Sequence, residues 1–267
     1  MLGATGLEVS PFCLGMVPEP ALVAAAFEAG INFFFVSCDM HWPRYQALRE
    51  GLAALLARVP RDRIAVAAVS YVTQPEFCNL PFVELLEEVP ELGHLDLLVI
   101  GGAYGGELER RRDVYRENLA SGLAGARGVG VSFHDRAAAR DAIRADAIDL
   151  ALVRYNPLHP GARKDLFPAL DGERACRVYN FNSTRGQVYT GTVPPALAGD
   201  MWIPRVPDYY RFALTRPQVD GILCSFSRPD EITELLAALD DGPLSAEEED
   251  YMIALVAEVK READIRR

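Results

Sequence analysis

The sequence predicts an α/β protein, a single-domain (β/α)8 or TIM barrel over residues 1–267. Three observations carry that expectation. Eight short apolar runs recur along the chain, most of them followed by an amphipathic stretch. The runs are near-continuously apolar rather than alternating, as strands of a parallel sheet are when both faces are buried. No low-complexity linker divides the chain, and 267 residues suit one large barrel as well as two small domains.

The elements follow in order. PFCLGM opens the series, Pro20 suits the first turn of a helix over Ala21 to Ala29, and Gly30 suits its exit. INFFFVS supplies the second strand, with a helical pattern from Tyr45 to Val59. RIAVAAVS leads into Phe82 to Val89, LDLLVIGG into Glu107 to Leu123, and GVGVSF into Arg136 to Ala145. IDLALVRYN and ACRVYNFN are the sixth and seventh strands. VDGILCSF is the eighth, before a helix over Arg228 to Leu239. Ser227 with Asp230, and Ser245 with Glu248, have the spacing of capping boxes. The proline-rich stretch Gly191 to Pro207 falls after the seventh strand, where a loop would overhang the barrel mouth.

Composition excludes several function classes. The net charge is -11, and the one basic cluster, Arg110 to Arg112, shares its helix with Glu107, Glu109, Asp113 and Glu117. Nucleic acid and anionic membranes are therefore not expected partners. The N-terminus has no basic start followed by an apolar run, and no segment reaches the roughly 20 apolar residues of a membrane span. The 5 cysteines stand singly without CxxC spacing, as reduced thiols of a cytoplasmic protein do.

Five stretches resemble the aldo-keto reductase superfamily: LGATGLEVSPFCLGM, EAGINFF, GVGVSFHD, RYNPLHPGARKDLFPAL, and YRFALTRPQVDGILCSFSRPDEITELLAALDDGPLSAEE. They span essentially the whole chain in order. The resemblance implies the same barrel and, for an ordinary member, hydride transfer from NADPH to a carbonyl. In such a member a Tyr donates the proton, a Lys paired with an Asp tunes the phenol, and a His orients the substrate.

The resemblance puts those roles on Phe35 for the Asp, Met40 for the Tyr, Val69 for the Lys and Gly101 for the His. None is the expected residue type. A buried Asp and Lys lost together cost little, whereas losing one alone strands a charge at about 3 to 5 kcal/mol. Phe35 and Val69 read as such a joint replacement. The positions implied for the nicotinamide amide are Ser132, Phe133 and Leu152, and those for the 2'-phosphate are Ser225, Phe226, Glu231 and Leu235. Arg228 is the one cation left there, so no cofactor is expected.

Candidate site residues cluster at strand ends. Asp39 and His41 follow the second strand and are the candidate catalytic groups, His41 because an imidazole can give and take a proton. Phe35, Met40, Trp42, Phe133, Phe181 and Asn182 are the candidate substrate-binding residues. Cys38 with His41, or His134 with Asp135, could pair as nucleophile and base, but no spacing motif supports this: Cys38 is read as packing inward, and His41, His134 and Asp39 as no metal site. The GGAYGG run lacks the Lys of a phosphate loop. The expectation is an enzyme of altered chemistry on a small organic ligand in the barrel mouth. The alternatives are a catalytically silent protein with a protein partner and an atypical NADPH-dependent oxidoreductase.

Overall fold

The computed structural model describes residues 1–103, 107–184, 189, 191, 194, 197 and 202–265. Eight parallel strands close in sequence order: β1 (Phe12–Leu14), β2 (Phe33–Ser37), β3 (Ala65–Ser70), β4 (Leu97–Ala103), β5 (Gly128–Phe133), β6 (Leu150–Arg154), β7 (Arg177–Phe181) and β8 (Gly221–Cys224), with β8 pairing back to β1. Each falls inside an expected apolar run, except that β4 continues one residue past LDLLVIGG, to Ala103. Around them lie α1 (Ala21–Glu28), α2 (Gln46–Leu56), α3 (Leu80–Glu88), α4 (Glu107–Ser121), α5 (Arg136–Arg144), α6 (Ala162–Asp165), α7 (Val206–Leu214), α8 (Pro229–Asp240) and α9 (Ala246–Ile265). None of these helices is long and apolar enough to cross a membrane.

Helix ends follow local chemistry. Gly30 has φ +95, open to glycine and strained for other residues, and it ends α1 where expected. Ser245 and Glu248 form the expected capping box: the Ser245 N–H donates to Glu248 Oε2 at 2.7 Å and the Glu248 N–H to Ser245 Oγ at 3.2 Å. Ser227 differs from expectation, because its N–H donates to Glu231 rather than to Asp230. Arg228 takes the Asp230 carboxylate instead.

The strand register is held at the amino end of the barrel by one repeated device. Asn32, Asp96, Asp149 and Asp220 stand just before β2, β4, β6 and β8. Each side chain accepts a backbone N–H near the start of the preceding strand: Ser10 at 2.7 Å, Val66 at 2.8 Å, Val129 at 3.0 Å and Val178 at 2.8 Å. These carboxylates are partly offset by arginines, Arg61 and Arg127 on Asp96, Arg174 and Arg177 on Asp220. Below the site, Tyr179 crosses the barrel against the Phe33 ring, centroids 5.5 Å apart, and donates to the Ser10 carbonyl at 2.7 Å. It has room only because residue 221 is glycine: a Cβ there would lie 2.5 Å from the Tyr179 ring and 2.3 Å from the Pro11 carbonyl.

At the carboxyl end, buried arginines do the matching work. Arg49 donates to the Ser37 carbonyl at 2.6 Å and pairs with Glu88. Arg111 donates to the carbonyls of Ser70 at 2.9 Å and Gly101 at 3.0 Å. Strand carbonyls that end without a ladder partner are thus satisfied away from water.

Burial raises the phenol pKa of Tyr45, Tyr155, Tyr179 and Tyr210 above the ordinary tyrosine value. Below the unfolded pKa of about 10 both states keep the proton; above it the unfolded chain ionises while the folded one resists. Stability is then lost as pH rises. The melting temperature should hold from about pH 7 to about pH 9 and fall above about pH 10. A melting curve unchanged at pH 11, recorded by circular dichroism, would contradict the burial of these phenols.

Candidate functional site

The mouth holds a cavity of about 720 Å³ at the carboxyl ends of the strands. Its apolar wall comes from side chains that strand periodicity turns inward: Phe35 of β2, Leu152 of β6, Phe181 of β7 and Leu223 of β8, with Met16 after β1. The polar wall comes mostly from loops. Met40, His41, Arg44 and Tyr45 arrive from the β2 loop, Tyr71 and Thr73 from the β3 loop, and Asn182, Ser183 and Thr184 from the β7 loop. Ser132, His134, Tyr210 and Ser225 complete it.

Several candidates occupy this wall. Phe35, Met40, His41, Phe181 and Asn182 all line the cavity. His41 is exposed and sets its ring edge-on to Tyr71, centroids 5.4 Å apart. Opposite, His134 stands edge-on to Phe181 at 5.8 Å, and its pKa is lowered by burial and then by Arg154.

Three candidates lie elsewhere, each for a physical reason. Asp39 does not line the cavity; its Oδ2 accepts the Ser70 hydroxyl at 2.7 Å and the Tyr71 N–H at 2.8 Å, and its Oδ1 accepts the Met40 N–H at 2.6 Å. The carboxylate is a tie between the β2 loop and β3. Trp42 opens the 3-10 turn Trp42–Tyr45, is 47% exposed, and lies over the Arg49 guanidinium at 5.6 Å, outside the cavity. Phe133 is buried but faces the helices, because Ser132 beside it faces in and successive strand residues alternate.

Tyr71 and Tyr210 were not among the candidates. Tyr71 continues the inward parity of Ala67 and Val69 one step past β3, a signal present in RIAVAAVSY. Its ring lies over Gly101: a Cβ on that glycine would meet Tyr71 Cδ1 and Cε1 at 2.7 Å. Tyr210 comes from α7, and no strand pattern points to it; its hydroxyl reaches the Ser225 carbonyl at 3.4 Å. The expected overhanging loop lies largely outside the described residues, as do Tyr104, Gly105 and Gly106 of the glycine run. Among the described residues no cluster of three or more His, Cys, Asp or Glu could hold a metal ion.

A closed barrel with a cavity at the carboxyl face of its strands defines a class of scaffold, and the chain has the fold of the aldo-keto reductases. An aldo-keto reductase from Bacillus halodurans in its holo form is 17% identical, with 96% of this chain and 94% of that chain covered and a TM-score of 0.73. The apo form of the same protein gives 0.71. A thermostable aldo-keto reductase crystallised with the inhibitor epalrestat is 19% identical, covers 96% of this chain and 98% of its own, and gives 0.68. No protein-family model and no curated protein matches the chain. At these identities the likeness is one of fold.

The Tyr71 and Gly101 contact yields a mutational expectation. Gly101→Ala should destabilise by about 1 to 3 kcal/mol through overpacking. The double variant Gly101→Ala/Tyr71→Ala should be no less stable than Tyr71→Ala alone, since the clashing ring is gone. Urea unfolding midpoints of the three variants decide this.

Proposed function

We propose that the chain is an enzyme acting on a small organic molecule in the barrel mouth, by acid–base chemistry of its own side chains. The observation that carries the reading is the cavity itself. An apolar wall of Phe35, Leu152, Phe181 and Leu223 faces His41 across about 720 Å³, enough for a ligand of modest size. Flat or apolar groups would be held by area and ring contact, and His41 would pass the proton. A protein that kept the barrel only for its outer shape has no need of such an open mouth.

The residues present do not fit NADPH. Where the resemblance implies 2'-phosphate contacts, Glu231 accepts the Ser227 N–H at 2.7 Å, and Arg228 is held by Asp230 at 3.1 Å and by Glu231 at 3.3 Å. The backbone donor and the guanidinium that could meet a phosphate are thus already facing carboxylates, and Glu231 and Asp230 would repel it. At the other end, Leu152 lines the cavity where the resemblance implies a glutamine for the carboxamide. Phe35, likewise, stands where it implies an acid, and is only 5% exposed.

Two outcomes are expected. Isothermal titration with NADPH should show no saturation below about 1 mM, where binding is worth only about 4 kcal/mol; saturable micromolar binding would restore the reductase reading. With a substrate found by thermal-shift screening of aromatic and conjugated compounds, His41→Ala should leave the dissociation constant unchanged and cut turnover by about 10²- to 10⁴-fold. Phe181→Ala should instead weaken binding, by about tenfold or more for a lost buried ring. Turnover untouched in His41→Ala would remove the acid–base role.

A further inference from the structure

The cavity wall contains two phenols whose hydroxyls have no hydrogen-bond partner among the described residues, Tyr45 and Tyr71. Tyr45 is 7% exposed and packs beside Phe35, ring centroids 6.4 Å apart. Tyr45 lines the cavity, and its hydroxyl is not among the sealed, unpartnered polar atoms of the interior. Tyr71 is half-buried, its ring set between Gly101 and the edge of His41. Two phenol hydroxyls on the wall of one cavity, each without a partner among the described residues, are donors available to an acceptor on a ligand.

Resting on the reading of the mouth as a ligand site, we propose that Tyr45 and Tyr71 form a two-donor pole that binds an oxyanion, a phenolate, enolate or carboxylate oxygen, borne on a flat apolar body lying against Phe35 and Phe181. Two hydroxyl donors on one cavity wall are a means of stabilising negative charge on a ligand oxygen. Both phenols keep their protons at neutral pH: burial raises each pKa, with Tyr71 the next cause for Tyr45, and Asp39 the next for Tyr71. They therefore act as donors and not as phenolates. Arg44 on the same wall adds a positive charge, while Glu107 is the carboxylate that faces it from α4. His41, against the Tyr71 ring, is placed to exchange a proton with a ligand whose oxygen the pole holds.

The experiment uses p-nitrophenol as probe and p-nitrotoluene, of the same shape without the oxygen, as its neutral control. Titration into the whole chain should show p-nitrophenolate bound about tenfold or more tightly than p-nitrotoluene, with the absorbance of the yellow anion persisting on the protein below the free compound's pKa. Tyr45→Phe and Tyr71→Phe should each weaken the phenolate by about tenfold, the worth of one hydrogen bond to a charged group, while p-nitrotoluene binds as before and reports an intact mouth. Equal affinity of the two probes, or phenolate binding unchanged in both Phe variants, overturns the donor pole and leaves the ligand site standing. Failure of both probes to bind overturns the ligand site and the pole with it.

Discussion

Everything at the mouth depends on strand register, and register is held at the opposite end of the barrel by four side-chain acceptors. Asn32, Asp96, Asp149 and Asp220 each receive a backbone N–H from near the start of the preceding strand. A slip of one residue would turn every inward side chain to the helical layer. Phe35 would leave the cavity, and Phe133 would replace Ser132 in its wall. The device uses acceptors because strand starts expose unpaired N–H groups, and Asp and Asn answer them with short, stiff side chains.

The carboxyl end solves the complementary problem and thereby shapes the site. Strand ends leave carbonyls, and Arg49 and Arg111 cover those of Ser37, Ser70 and Gly101 from beneath the loops. Asp39 ties the β2 loop to Ser70 and Tyr71. These contacts place the Tyr71 ring over Gly101, the position where the family resemblance implies a histidine. The glycine and the tyrosine are thus one structural choice: the second ring fits only because the first side chain is missing.

A division of charge follows. Asp39, Arg49 and Arg111 close to the mouth are engaged in holding backbone, whereas the cavity wall presents protonated phenols at Tyr45 and Tyr71 beside Arg44 and Glu107. In a chain of net charge -11, the proposed electron-rich ligand would meet phenol donors and Arg44 on this wall, with Glu107 as its carboxylate.

Much of this was legible beforehand in the amino-acid order. Continuous apolar runs determined the eight strands, because burial on both faces leaves no polar alternation. Strand parity placed Phe35 and Phe181 toward the mouth, and the residues that follow β2 and β7 brought Met40, His41 and Asn182 to the same rim. Parity applied to GVGVSFHD would also have turned Phe133 away, since Ser132 and Phe133 cannot share a face. What sequence alone could not decide was direction within loops and contact between distant segments. Asp39 turned to β3 because Ser70 and the Tyr71 N–H needed an acceptor, and Trp42 turned to Arg49. Tyr210 entered the site from α7, which no strand periodicity encodes, and the packing of the Tyr71 ring over Gly101 is a contact between distant segments. Backbone pattern is a short-range property written in neighbouring residues, whereas the chemistry of the mouth is set by which unsatisfied groups the closed barrel brings together.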